Sequence, residues 1–158
     1  MSDGYAAGGY RAPIEMAAAS DLYFALLEAW NRHDAAAYAA LFTEDGYVVG
    51  FDGSEMSGRE EIEQSLSAIF ADHETGRYVA KVRGERTISD DVAMLSAIAG
   101  LVPAGQSDLN PQLNAIQTLV AKRESGKWRV LQFQNTPAQF HGRPEASDAL
   151  TNELRGLI

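Results

Sequence analysis

A chain of 158 residues with 46% hydrophobic side chains is long enough for one domain with its own core, and the absence of cysteine excludes a disulfide framework, a thiolate nucleophile and a zinc ribbon. The 22 acidic residues against 13 basic ones give a formal net charge of -9, which repels phosphate backbones and anionic lipid and argues against nucleic acid or a membrane surface as partner. Residues 1–12 are rich in Gly, Ala and Tyr without a period and read as a flexible tail. They lack the basic cluster and apolar run of a secretory signal, and no later stretch has membrane-spanning length, so the expected location is cytoplasmic.

Pro13 suits the first turn of a helix, and Ile14, Ala18, Leu22, Ala25, Leu26, Ala29 and Trp30 recur at spacings of three and four, which predicts one long amphipathic helix. It gives way at Asn31-Arg32-His33, after which Asp34 is placed to cap a short helix to Leu41-Phe42. Thr43-Glu44-Asp45-Gly46 is turn chemistry, Tyr47 to Phe51 favours a strand, and Asp52-Gly53-Ser54 closes it. Ser57 and Glu60 match a capping box before a third helix carrying Ile62, Leu66, Ile69 and Phe70 to about Asp72. Strands are then expected over Tyr78 to Ile88, Val92 to Val102, Leu113 to Arg123 and Trp128 to Asn135. Pro103 to Gln112 is too broken for regular structure, and a last helix would carry Leu150, Leu154 and Leu157 on one side. Helices first and a run of long strands after them is the order of an α+β fold.

Four motifs in order carry a resemblance: Trp30-Asn31-Arg32-His33-Asp34, Leu41-Phe42-Thr43-Glu44-Asp45, Ser57-Gly58-Arg59-Glu60-Glu61-Ile62 and Gly126-Lys127-Trp128-Arg129-Val130. Over roughly Ile14 to Pro144 the chain resembles the SnoaL-like branch of the nuclear-transport-factor-two-like superfamily. Its Gln134-Asn135-Thr136-Pro137 is similar to the SgcJ/EcaC-type subgroup of natural-product clusters, enediyne ones included. The resemblance implies a domain over residues 13–144, a cone-shaped curved antiparallel β-sheet wrapped on three helices, followed by a C-terminal extension over 145–158. It also implies a pocket at the open end and a homodimer joined through the outer sheet face. It implies little chemistry, since the superfamily holds isomerases, cyclases, dehydratases and non-catalytic adaptors.

Ketosteroid isomerases of this fold need a carboxylate base, a tyrosine and a protonated acid. Anchored on the shared motifs, those roles fall on Gly50, Leu26 and Thr118, and all three are vacant. Since strand side chains alternate faces, the same anchoring on the resemblance implies that Asn114, Ile116, Thr118 and Val120 lie on the concave face, with Leu131, Phe133 and Asn135 on the neighbouring strand. Trp30 and Gly50 border the same space, and Ala97 and Ala99, if inward, leave volume free. The expected ligand site is therefore Trp30, Gly50, Ala97, Ala99, Asn114, Ile116, Thr118, Leu131, Phe133 and Asn135, apolar with a few polar groups. For the polar members, satisfaction of a buried backbone group competes with ligand binding. Gln117, Gln132 and Gln134 fall on the opposite face, where Leu113, Ala115 and Leu119 beside them suggest the dimer contact.

Asp52 and His141 are the groups nominated for proton transfer, against a plain turn residue and a solvated loop histidine as competing readings. Arg59, just inside a helix start, is expected to pair with a neighbouring carboxylate. His33, His73 and His141 have no paired spacing, and no nucleotide or dinucleotide motif is present, so neither metal nor cofactor is implied. Two functions remain open: a cyclase or isomerase of polyketide-like molecules using general acid/base chemistry, and a non-catalytic binding or accessory module of secondary metabolism.

Overall fold

The computed structural model describes residues 12–158, with side chains from Ala18 onward. The tail expected over residues 1–12 lies, apart from Ala12, outside the described residues, as does the side chain of Ile14. The chain runs α1 (Ala12–Asn31), α2 (Ala35–Ala40), β1 (Phe42–Val49), β2 (Glu55–Ser57), α3 (Arg59–Asp72), β3 (Arg77–Ser89), β4 (Val92–Val102), β5 (Ala115–Glu124), β6 (Lys127–Pro137) and α4 (Pro144–Arg155). The strands form one open sheet in the order β2-β1-β6-β5-β4-β3. Its pairs are antiparallel except β1 with β6, which run parallel. The sheet bends over α1, which meets β3, β4, β5 and β6.

Local chemistry explains most element ends. His33 takes φ 58 and turns the chain out of α1; the Ala37 N–H then donates to Asp34 Oδ1 at 2.9 Å, so Asp34 caps α2 as expected. The box at α3 is shifted by one residue. Gly58, with φ 93, is the N-cap, and the Ser57 N–H donates to Glu61 rather than Glu60, because Ser57 is held in β2 opposite Tyr47. Arg59 donates Nε and Nη2 to the Phe42 carbonyl at 3.0 and 2.6 Å instead of pairing with a carboxylate. The first strand is also longer than expected at its start, since Thr43 to Gly46 form a wide bulge inside β1 and Phe51 lies beyond its end.

Leu131 is the hinge of the register. On one side Phe42 pairs with Val130 and Tyr47 with Gln132, so residues 43–46 stand opposite Leu131 alone. On the other side Val120 pairs with Gln132 and Ala121 with Val130, so Leu131 has no partner there either. Regular pairing from the Glu124–Lys127 turn is thereby broken, and β6 changes face at Leu131, with Val130 and Phe133 both inward, while β5 alternates without a break. Ala115, Gln117, Leu119 and Ala121 are buried toward the helices, while Ile116, Thr118 and Val120 face outward. The expected inward assignment of Ile116, Thr118 and Val120 is thus corrected, as is the outward one of Ala115, Gln117 and Leu119. Phe133 and Asn135, on the far side of the bulge, keep the inward face expected for them.

Two apolar clusters result. The inner one packs Tyr23, Leu26 and Leu27 of α1 and Ile62 and Leu66 of α3 against Leu95, Ala97, Leu119 and Phe133 of the sheet. On the outer face α4 buries Leu150 and Leu154 against Ile98, Val102 and Leu109. Leu157, expected on the same stripe, lies past the helix end and is exposed. The extension therefore packs on its own chain. Lys81 and Arg83 reach Glu153, and Arg155 reaches Asp108, at the edge of this contact; these pairs are well solvated, so the leucines carry the docking. Among the described residues no helix is long and apolar enough to cross a membrane.

Candidate functional site

A cavity of about 270 Å³ lies between the inner helices and the β1–β6 end of the sheet, close to the lower end of the roughly 300–1,000 Å³ usual for small-molecule sites. Leu27 and Trp30 of α1, Leu66 and Ile69 of α3, Val48 of β1, Met56 of β2 and Phe133 of β6 supply its apolar wall. The turn from Gly50 to Ser54 forms its rim, where Asp52 and Ser54 are exposed. Tyr38, Tyr78 and Asn135 are its polar lining residues besides Asp52 and Ser54.

Side chains are fixed here by neighbours that spend their own hydrogen bonds. Trp30 Nε1–H donates to the Gly76 carbonyl at 3.1 Å, so the indole offers the cavity only its apolar ring, which packs on Phe70 and Tyr78. Gly76 itself lies tight against the end of β4: a Cβ there would stand 2.4 Å from the Val102 carbonyl oxygen. Tyr78 sits on β3, the edge strand of the sheet among the described residues, and Asn31 takes the place of a further strand. The Tyr78 N–H donates to Asn31 Oδ1 at 2.8 Å, and Asn31 Nδ2 donates to the Tyr78 carbonyl at 3.1 Å. The last turn of α1 thus locks the backbone that carries the phenol.

Behind the cavity runs a chain of polar contacts. Tyr23 Oη donates to Gln117 Oε1 at 2.6 Å, Gln117 Nε2 to Asn135 Oδ1 at 3.2 Å, and Asn135 Nδ2 to Tyr78 Oη at 3.3 Å. Tyr23 and Gln117 are both 0% exposed. Burial pushes the phenols of Tyr23, Tyr38 and Tyr78 above their ordinary range, with the Asn135 contact opposing it at Tyr78, so all three stay protonated near neutral pH.

The structure brings Trp30, Gly50, Asp52, Phe133 and Asn135 of the expected site together around the cavity. Asp52 lies at its rim as a turn residue: its Oδ1 accepts the Ser54 N–H at 2.9 Å, beside Gly53 at φ 91. That bond holds its carboxyl below the usual range, the opposite of the raised value a buried base would have. Ala97 and Ala99 do face the helices, but Ala97 lies in the inner core opposite Gln117 and Ala99 opposite Ala115, away from the cavity wall. Asn114 is buried elsewhere and donates to Thr151 Oγ1 of α4 at 2.9 Å. Ile116 packs with the outer cluster, Thr118 points outward, and Leu131 is spent in the bulge. His141 is exposed beside Phe140, which packs on the outer cluster, so it lies across the sheet from the cavity.

Sequence reasoning missed Tyr38, Tyr78 and Gln117. A signal existed: each is a polar group at a position whose apolar spacing is inward, and a Gln within Ala115-Ile116-Gln117-Thr118-Leu119 needs either water or a buried partner. For the vacant isomerase roles, Leu26 is buried in the inner core and Gly50 lines the cavity without a carboxylate. Thr118, the third, faces outward, and its neighbour Gln117 is the inward residue.

Residues 20–138 match the family described as SnoaL-like domain. No curated protein matches the chain. Among solved structures it is similar to a domain of unknown function with a cystatin-like fold from Nostoc punctiforme PCC 73102, at 22% identity over 82% of this chain and 80% of the other, TM-score 0.72. A ketosteroid isomerase-like protein from Erwinia carotovora atroseptica SCRI1043 matches at 19% identity over 79% and 97% of the two chains, TM-score 0.63. An NTF-2-like protein of unknown function from Shewanella oneidensis MR-1 matches at 20% identity over 78% and 98%, TM-score 0.63. At these identities the likeness concerns the fold.

Proposed function

The chain belongs to the SnoaL-like domain family, and on that premise we propose that it holds a small, largely apolar molecule, of the polyketide-like kind, in the cavity bordered by Trp30, Ile69, Tyr78 and Phe133. The observation that carries this reading is the lining: apolar side chains surround two phenols and an amide, and the one carboxylate among the lining residues, Asp52, is solvated at the rim. Such a wall binds by removing apolar surface from water and orients its guest with few polar contacts. It has no interior base, so binding or accessory duty in secondary metabolism is favoured over cyclase or isomerase chemistry. Titration with the neutral fluorophore N-phenyl-1-naphthylamine tests it: one saturable site per chain is expected, and fluorescence that rises linearly without saturation would refute it.

A catalytic consequence follows. The protein should show no appreciable isomerisation of a 5-ene-3-ketosteroid, because proton abstraction beside a ketone needs a positioned base and Gly50 offers none. Rapid turnover in that assay would contradict the binding reading and make Asp52→Asn the deciding variant.

The outer sheet face supports a second part of the proposal, a homodimer. α4 covers Ile98 and Val102 but leaves Met94, Val120, Gln132 and Gln134 in an adjoining uncovered row. Sedimentation at micromolar concentration is expected to give twice the 17.1 kDa chain mass; a monomer would overturn it.

A further inference from the structure

Resting on the reading of the cavity as a ligand site, we propose that the Tyr78 hydroxyl is the group that selects the ligand, by donating its proton to an acceptor oxygen, so that the natural guest is an apolar molecule bearing a carbonyl. The direction of the polar chain decides this. Amide groups can be turned either way, and the same four side chains would fit a chain running from Tyr78 to Tyr23. Tyr23 removes that freedom. Its hydroxyl is fully buried and has Gln117 as its one hydrogen-bond partner among the described residues. Were the chain reversed, Gln117 would donate to Tyr23 and the Tyr23 proton would be left in the core without an acceptor, a cost that native interiors avoid.

The proton therefore runs from Tyr23 to Gln117 Oε1, and each amide passes the same polarity on. At the end, Asn135 donates to Tyr78 Oη, which uses one lone pair and leaves the Tyr78 O–H without a protein acceptor among the described residues. Tyr78 borders the cavity, so that donor is presented to whatever occupies it. Each bond in the series polarises the next, and accepting from Asn135 makes the Tyr78 O–H a stronger and directed donor. Tyr38 adds an independent observation. Its side chain is 4% exposed and lines the same cavity, and its hydroxyl has no hydrogen-bond partner among the described residues yet is not sealed from open space. Two phenolic hydroxyls without acceptors in an apolar pocket require oxygen from the guest; a pure hydrocarbon would leave both unpaired.

The cavity volume suits a guest of one or two rings, so 2-acetylnaphthalene and 2-ethylnaphthalene form a matched pair that differs in the carbonyl oxygen. The wild-type protein is expected to bind the ketone about five- to tenfold more tightly than the hydrocarbon. In Tyr78→Phe that ratio should fall to within about twofold. Asn135→Asp gives a second arm, because a carboxylate in place of the amide donor takes the Tyr78 proton itself, and the preference for the ketone should again disappear. Equal affinity of the wild type for both probes, or a preference that survives Tyr78→Phe, overturns the assignment of Tyr78 while leaving the cavity as a binding site. If neither probe binds, the binding reading fails and this inference fails with it.

Discussion

Gln117→Leu should lower the stability of the protein by about 3–5 kcal/mol, seen in urea unfolding followed by tryptophan fluorescence as a midpoint shift of about 1.5–2.5 M at a slope near 2 kcal/mol/M. The side chain is fully buried, and its two ends are the partners of Tyr23 Oη and Asn135 Oδ1. Leucine fills the volume but satisfies neither, so two polar atoms lose their partners inside the core, each at a cost of roughly 1–3 kcal/mol. Tyr23→Phe, which strands only one atom, should cost less, and the double variant should cost less than the sum because it removes both members of the first bond. A Gln117→Leu protein within about 1 kcal/mol of wild type would mean that water, rather than this side chain, serves Tyr23.

Ile69→Trp is expected to abolish binding of the neutral naphthylamine, weakening it at least about a hundredfold, while the far-ultraviolet circular dichroism is retained. Ile69 is half-buried on the cavity side of α3, where it packs at the margin of the inner core rather than within it. An indole there has the cavity itself to enter, so it takes the space without displacing close-packed neighbours. Loss of that volume removes the apolar surface that drives association, and about 2.7 kcal/mol corresponds to the expected hundredfold. The contrast is Ala99→Trp. Ala99 is 0% exposed with Ala80 and Ala115 as its strand partners, so the same enlargement there overpacks the core and should unfold the protein rather than plug the cavity.

The comparison of sequence with structure turns on Leu131. Long strands, the Asp34 cap, the third helix and the family motifs all speak through local chemistry and periodicity, and the structure follows them within a residue or two. The inward face of β5 does not speak locally. It depends on where pairing with β6 breaks, and Leu131 looks in sequence like any strand leucine between Val130 and Gln132. One unpaired residue there sets Leu119 and Gln117, rather than Thr118 and Ile116, beside Phe133 and Asn135, which places a glutamine in the core and a threonine outside it. Phe133 and Asn135 hold the inward face that the resemblance implies for them. The wide bulge of Thr43 to Gly46 reads as a turn for the same reason: its four residues have turn composition, and only the parallel pairing with β6 shows that the strand continues through them. Tyr78 and Asn31 form a contact between distant parts of the chain, and neither residue carries a pattern that announces it.

The account stands most directly on where an apolar carbonyl compound binds, and backbone amide shifts in a titration with 2-acetylnaphthalene measure that. The expected perturbations cluster at Val48 to Ser54, at Ile69, at Tyr78 and at Phe133 to Asn135, with α4 and Met94 to Ile98 unmoved. Shifts confined to α4 and the outer sheet face, with Tyr78 and Phe133 silent, would contradict it.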